Sequence, residues 1–296
     1  RRFRAKATKA RQAQSRVKQL EKLKPVERVR RPAAVPKIRL PNPPASAYET
    51  LEVHDLEMSY GEKRVFHGVD LKLLRGEKVG LLGPNGAGKT TTIKLLVGLL
   101  KPSSGTIRID GVNLEQDPIR VKEIIGYIPD RPFLYDKLTG WEYLEFVAGL
   151  YSLDPDIARD RAEQFFTFFD LQEFAHELIE GYSHGMKQKL VISGALIHKP
   201  KVIIVDEPLV GLDPKGARQV KQLFQDLCEN GTTVFMSTHS MGVAETMCHR
   251  VGIIQKGKMI ALGTVDQLRS QAEHQHGDLE SVFLKLTDRA TPGGND

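Results

Sequence analysis

The octapeptide Gly83-Pro84-Asn85-Gly86-Ala87-Gly88-Lys89-Thr90 lies between a short apolar run, Val79–Leu82, and a helical pattern. G-x-x-x-x-G-K-[ST] in that strand-to-helix setting is a phosphate-binding loop. Glycines let the backbone curl until successive N–H groups face the phosphates, and the helix start adds its positive dipole end. Lys89 is expected to reach the β- and γ-phosphates, and the Thr90 hydroxyl to hold Mg²⁺. A second group of residues completes the chemistry. Val202-Ile203-Ile204-Val205-Asp206-Glu207 is an apolar strand ending in two carboxylates. Asp206 is the expected Mg²⁺ ligand, through water, and Glu207 the general base that activates an attacking water. An Asp-Glu pair after a strand is often only the solvated start of a loop; the phosphate loop gives it a partner. Together they imply a site that binds and hydrolyses a nucleoside triphosphate.

Such a site needs strands that end together and helices that begin there. From Tyr48 onward the chain alternates between the two kinds of element. Leu51–Leu56 and Val69–Leu74 alternate as antiparallel strands do, whereas Val79–Leu82 and Val202–Val205 read as strands buried on both faces. Helical patterns fall at about 88–99, 140–150, 156–170, 184–197, 214–229 and 264–270. This order implies an α/β fold, a P-loop NTPase with a mainly parallel core sheet. The stretch from Trp141 to Asp170 lacks strand character and reads as a helical insertion.

The net charge of +6 is unevenly spread. Fifteen of the 43 basic and two of the 37 acidic residues fall in 1–48, which leaves +13 there and −7 on the remainder. The expected division is therefore a basic helical arm with a Pro-rich linker over 1–48 and an ATP-binding domain over 49–296. Within the arm, Arg4–Leu23 has helix-forming composition up to Pro25, followed by Pro32, Pro36, Pro41, Pro43 and Pro44. It is either a solvated spacer or a binding arm. The chain opens on Arg1 rather than methionine, as a processed or partial sequence would. Two cysteines, Cys228 and Cys248, make neither a disulfide framework nor metal spacing and are expected as buried thiols in a reducing compartment. No apolar run is long enough to span a membrane, so a membrane role would come through a partner.

Further motifs then follow in a fixed order, and with them residues Tyr48 to Thr287 resemble the nucleotide-binding domains of ABC ATPases. Tyr182-Ser183-His184-Gly185-Met186 resembles the ABC signature, followed by Lys187, Gln188 and Lys189 on a helix. Gly211-Leu212-Asp213 resembles the D-loop, with Asp213 among the nucleotide-site residues, and Ser237-Thr238-His239 resembles the switch-histidine loop. Tyr60 stands where the family sets an aromatic ring against adenine. The resemblance implies an antiparallel β subdomain, an inserted helical subdomain, and a head-to-tail dimer holding two ATP molecules. In that dimer Ser183 and Gly185 would meet the γ-phosphate bound by the Gly83–Thr91 loop of the second domain, with Thr91 among the binding residues. Ser183 also reads as an ordinary helix cap, and both roles are compatible. His239 would sense the γ-phosphate. Two positions depart from the family pattern: Asp130 replaces the Q-loop glutamine, and His184 replaces a small residue of the signature. Asp130 can still reach Mg²⁺ or its water, but an ionised carboxylate donates no hydrogen bond.

Two branches of the family compete. The signature, the Ser-Thr-His-Ser-Met-Gly-Val-Ala-Glu run after the switch and the ending Leu279–Thr287 resemble ATP-binding subunits of export-type transporters with a separate transmembrane permease. That reading makes the chain peripheral on the cytoplasmic face of the cell membrane, with Phe133, Leu134, Tyr135 and Trp141 at the permease contact or in the subdomain core. The basic arm instead resembles the interdomain linker of ABC-F translation factors, implying ribosome or RNA contact through 1–48. Against this, ABC-F domains carry a different signature and a Ser-His-Asp-Arg switch, neither of which occurs here. The transport branch fits more of the chain. A binding module without turnover fits least, because Glu207 and His239 are both present.

Overall fold

The computed structural model describes residues 46–273 and 277–289. The expected helix at Arg4–Leu23, and nearly all of the 1–48 arm, lie outside the described residues.

Two sheets organise the domain. Strands β1 (Glu49–Tyr60), β2 (Lys63–Leu74), β4 (Ser104–Ile109) and β5 (Val112–Asn113) form an antiparallel sheet in the order β2-β1-β4-β5. Its buried face carries Leu51, Val53, Leu56 and Met58 from β1, with Leu71 and Leu73 from β2. The alternation slips by one at Asp55, which has φ +47 and marks a register shift between Val53 and Leu56. The second sheet has the order β10-β9-β3-β8-β7-β6. Its members are β3 (Lys78–Leu82), β6 (Ile125–Ile128), β7 (Val202–Asp206), β8 (Thr233–Thr238), β9 (Arg250–Gln255) and β10 (Lys258–Gly263). All pairings in it are parallel except β9 with β10 at the edge. Strands β3, β7 and β8 are buried at every position, which is why β-branched and apolar residues run through them without alternation.

Helix α1 (Lys89–Leu96) follows the phosphate loop, and α2 (Pro118–Ile124) precedes β6. The inserted unit consists of α3 (Gly140–Leu150), α4 (Pro155–Phe168) and the start of α5 (His184–Leu196). Its ends are specified locally: Thr139 and Glu142 form a reciprocal capping box, and Asp154 caps α4 just before Pro155. Phe165, Phe168 and Phe169 fill its interior. Helix α6 (Pro214–Glu229) buries Val220, Leu223, Phe224 and Leu227, an i, i+3, i+4, i+7 stripe. Helices α7 (Met241–Met247), α8 (Val265–Gln271) and α9 (Leu279–Arg289) close the domain. Cys228 is buried, but Cys248 is only partly so, against expectation; burial pushes both thiols up to about 12.

Polar staples join the two sheets. The Thr50 hydroxyl donates to Thr233 Oγ1 at 2.9 Å, which in turn donates to the Leu74 carbonyl at 3.1 Å. Asp110 opens the two-residue β4–β5 turn in the Asp-Gly form that positive φ favours, at +51 and +78. Its carboxylate accepts from Lys201 Nζ and from the Ala47 N–H, both at 2.6 Å. Side-chain exposures of 18% and 11% put this ion pair largely out of water. Asp110→Ala should therefore cost about 2–4 kcal/mol in urea unfolding, since Lys201 is left buried and unpaired. Removing both charges with Asp110→Ala/Lys201→Met should recover much of that loss; a loss under about 0.5 kcal/mol in the single variant would contradict this account.

A candidate ATP-binding and hydrolysis site

The phosphate loop is shaped by what lies beneath it. Gly88 has φ +113, and a Cβ there would come within 2.6 Å of the Phe66 ring from β2. The loop therefore needs glycine on two counts, backbone angle and close approach. Lys89 is buried, and its ammonium donates to the carbonyls of Gly83 at 2.6 Å and Pro84 at 3.2 Å. Burial lowers its pKa, against the pull of the Glu207 and Asp206 carboxylates. Pro84, Asn85, Gly86 and Thr90 are exposed on the loop, while Ala87 is buried within it.

The carboxylates are fixed by strand register. β7 and β8 pair so that Asp206 stands opposite Ser237. Asp206 is buried and accepts one hydrogen bond from the Ser237 hydroxyl and another from Thr90. Its pKa is raised, chiefly by burial; those two bonds oppose the shift, and the neighbouring charges of Asp130 and Glu207 add to it. Glu207 has φ +51, a left-handed conformation that costs a glutamate of order 1 kcal/mol. The turn carries its carboxylate across to the end of β8. There Oε1 accepts from the His239 backbone N–H at 2.9 Å and lies 2.7 Å from His239 Nδ1, while the Thr238 hydroxyl donates to Oε2 at 3.2 Å. The expected base and the expected switch histidine are thus direct partners.

These groups line one cleft of about 600 Å³, together with Tyr60, Gly86, Thr91 and Asp130. Tyr60 is 51% exposed, leaving a ring face free for a base. The cleft also has four lining residues that the motifs do not cover: Arg64 and Val65 on β2, and Lys256 and Gly257 on the β9–β10 turn. Motif order could not find them, although a Lys-Gly pair between Val251–Ile254 and Ile260–Leu262 carries the pattern of a hairpin.

The remaining expected residues lie elsewhere in the chain. Ser183 caps α5, accepting from the Met186 N–H at 3.3 Å, and Gly185 lies against the Gly211 carbonyl. The His184 imidazole fills the space that a side chain on Gly211 would need. Asp213 caps α6, accepting from the Gly216 N–H at 3.1 Å. None of Ser183, Gly185 and Asp213 is among the residues lining this cleft. Signature and D-loop therefore pack on each other, apart from the phosphate loop of the same chain.

A family model described as ABC transporter matches residues 66–210, and a second with the same description matches 1–40. The linearmycin resistance ATP-binding protein LnrL of Bacillus subtilis is 39% identical over 221 residues, 75% of this chain and 71% of that protein. A solved ATP-binding subunit of an ABC transporter superposes with a TM-score of 0.77 at 35% identity, covering 80% of this chain and 99% of that one. A dimeric post-hydrolysis structure of the ATP-binding cassette MJ0796, bound to ADP and Pi, gives 0.67 at 26% identity over 73% of this chain and 98% of that one. With this match in sequence and fold, and a cleft that joins phosphate loop, paired carboxylates and switch histidine, the chain belongs to the ATP-binding, ATP-hydrolysing proteins of ABC transporters.

Proposed function

We propose that this chain drives an export-type transporter whose membrane-spanning permease is a separate polypeptide, and that it works as a head-to-tail pair of ATPase domains. The observation that carries the catalytic part is the Glu207–His239 contact beside the phosphate loop. Glu207 takes the proton of the attacking water. His239 holds the carboxylate in place through its backbone N–H and its ring. Lys89 and the loop N–H groups neutralise the phosphates.

The oxygen donors fit Mg²⁺. Among the described residues no group of three or more His, Cys, Asp or Glu side chains could hold a metal alone. That suits an ion bound by few protein oxygens and completed by phosphate and water. Thr90 and Asp206 would hold it, with Asp130 close enough to act on the same charge. Held by Thr90 and Asp206, Mg²⁺ would supply positive charge that offsets the charge developing on the phosphates. An ionised Asp130 is an acceptor only, so it cannot donate to water as a glutamine would.

Support for the permease comes from the similar solved structure, an ATP-binding subunit of an ABC transporter, and from an aromatic surface. Among the described residues no helix is long and apolar enough to cross a membrane. Phe133 is 82% exposed and Tyr135 52%, and Tyr135 meets Phe146 edge-on at 5.6 Å. Trp141 instead stacks on Phe166 inside the helical unit. Peripheral association with the cytoplasmic membrane face belongs to the same proposal. A resistance protein as relative favours the transport branch over the ribosomal one, which no relative named here supports.

Glu207→Gln should retain ATP binding while turnover falls roughly 10²–10⁴-fold, measured by phosphate release. Turnover within about twofold of wild type would remove Glu207 from its role. If Ser183 and Gly185 complete the site of the second domain, Gly185→Asp should bind ATP as a monomer yet not dimerise on a sizing column, because a carboxylate would face the triphosphate. Normal ATP-dependent dimerisation would contradict the composite site. Phe133→Ser with Tyr135→Ser should leave the ATPase rate of the isolated chain unchanged but abolish pull-down of the permease; undiminished capture would move the docking surface elsewhere.

A further inference from the structure

The two-residue turn between β9 and β10 is built against its own conformational preference. Gln255 pairs with Lys258, and both loop residues have positive φ, Lys256 at +47 and Gly257 at +73. Asn or Asp ahead of Gly is favoured in such a hairpin. The β4–β5 turn obeys this with Asp110-Gly111. A lysine at the first position is disfavoured there, so the turn itself does not account for it.

The turn is also wedged in place. The Gly257 N–H donates to the Ala87 carbonyl of the phosphate loop at 3.1 Å. On the other side, a Cβ on Gly257 would collide with the Val65 carbonyl of β2. Lys256 and Gly257 consequently line the cleft with Tyr60, Arg64 and Val65, at a turn that adjoins the phosphate loop. Lys256 has no ion-pair partner among the described residues, and Arg64 has only Glu57, at 4.0 Å. The carboxylates lining the cleft, Asp130, Asp206 and Glu207, form another group, with Asp206 and Glu207 bonded to the end of β8.

We propose that Lys256 is a further nucleotide-binding residue, one that with Arg64 forms a cationic station for the phosphate nearest the ribose. A cation there makes a charge-assisted contact at a phosphate other than the β- and γ-phosphates assigned to Lys89. The turn, fastened through Gly257 to Ala87, fixes the backbone from which the exposed Lys256 side chain reaches the cleft before nucleotide arrives.

Calorimetric titration of the full chain with ATP, ADP and adenosine tests this, using Lys256→Asn and Lys256→Arg. Asparagine suits positive φ better than lysine, so the ligand-free melting temperature of Lys256→Asn should hold or rise. Affinity for ATP and ADP should nevertheless fall roughly 5- to 20-fold, with adenosine unchanged and the loss seen in KM rather than kcat. Lys256→Arg should restore most of the affinity. Lys256→Asn binding ATP within about twofold of wild type, an equal loss for adenosine, or an equal loss in Lys256→Arg would each overturn the assignment. The inference rests on the nucleotide site, yet the two fail separately. ATP binding untouched by Lys89→Ala refutes the site; binding that needs Lys89 but ignores Lys256→Asn refutes only this inference.

Discussion

Strands β3, β8 and β7 run parallel in a register that pairs Leu82 with Thr238 and Asp206 with Ser237, and the chemistry of the domain depends on that alignment. Each strand leaves the sheet within a residue or two of its neighbours, so three turns share one edge. β3 releases the phosphate loop, β7 the two carboxylates, β8 His239. Parallel pairing puts like ends together, which is why open α/β sheets collect ligands at the carboxyl ends of their strands. A shift of one residue between β7 and β8 would turn Ser237 away from Asp206 and separate Glu207 from His239.

Rigidity at that edge is supplied from outside the central strands. Phe66 of β2 lies under Gly88, and the β9–β10 turn is fastened to Ala87, so both sheets brace the phosphate loop. Braces need the sheets to keep their relation, and polar staples enforce it: Thr50 with Thr233, Asp110 with Lys201, and Arg250 forked onto Glu77 at 2.5 and 2.9 Å. Satisfied polar contacts of this kind fix direction, which apolar packing alone does less sharply. Positive φ at Glu207 is the local cost of aiming the carboxylate at β8 rather than continuing along β7.

Within one chain the cleft holds Glu207, His239 and the phosphate loop, while Ser183 and Gly185 lie outside it, with Ser183 capping its own helix. A helix start such as that of α5 still has N–H groups beyond the one taken by Ser183, and these suit an anion brought by another molecule. The proposed head-to-tail arrangement rests on that separation rather than on any single contact.

The sequence by itself determined the nucleotide chemistry. Spacing of Gly83 to Thr90 requires a strand before it and a helix after it, and Asp206-Glu207 needs only to end a buried strand; both rules are local. The same holds for the helix cap at Ser183, whose partner, the Met186 N–H, lies three residues on. Strands β4, β5, β6, β8, β9 and β10 and helices α2, α7 and α9 have no bounds in the sequence pattern, because most are short and gain definition from pairing and packing rather than from periodicity. Tertiary structure alone decided which distant side chains meet. Glu207 and His239 stand 32 positions apart, and Lys256 comes from a turn 167 residues after Lys89, so no spacing rule links them. Their meeting follows from strand order and register, which are set by the packing of whole sheets.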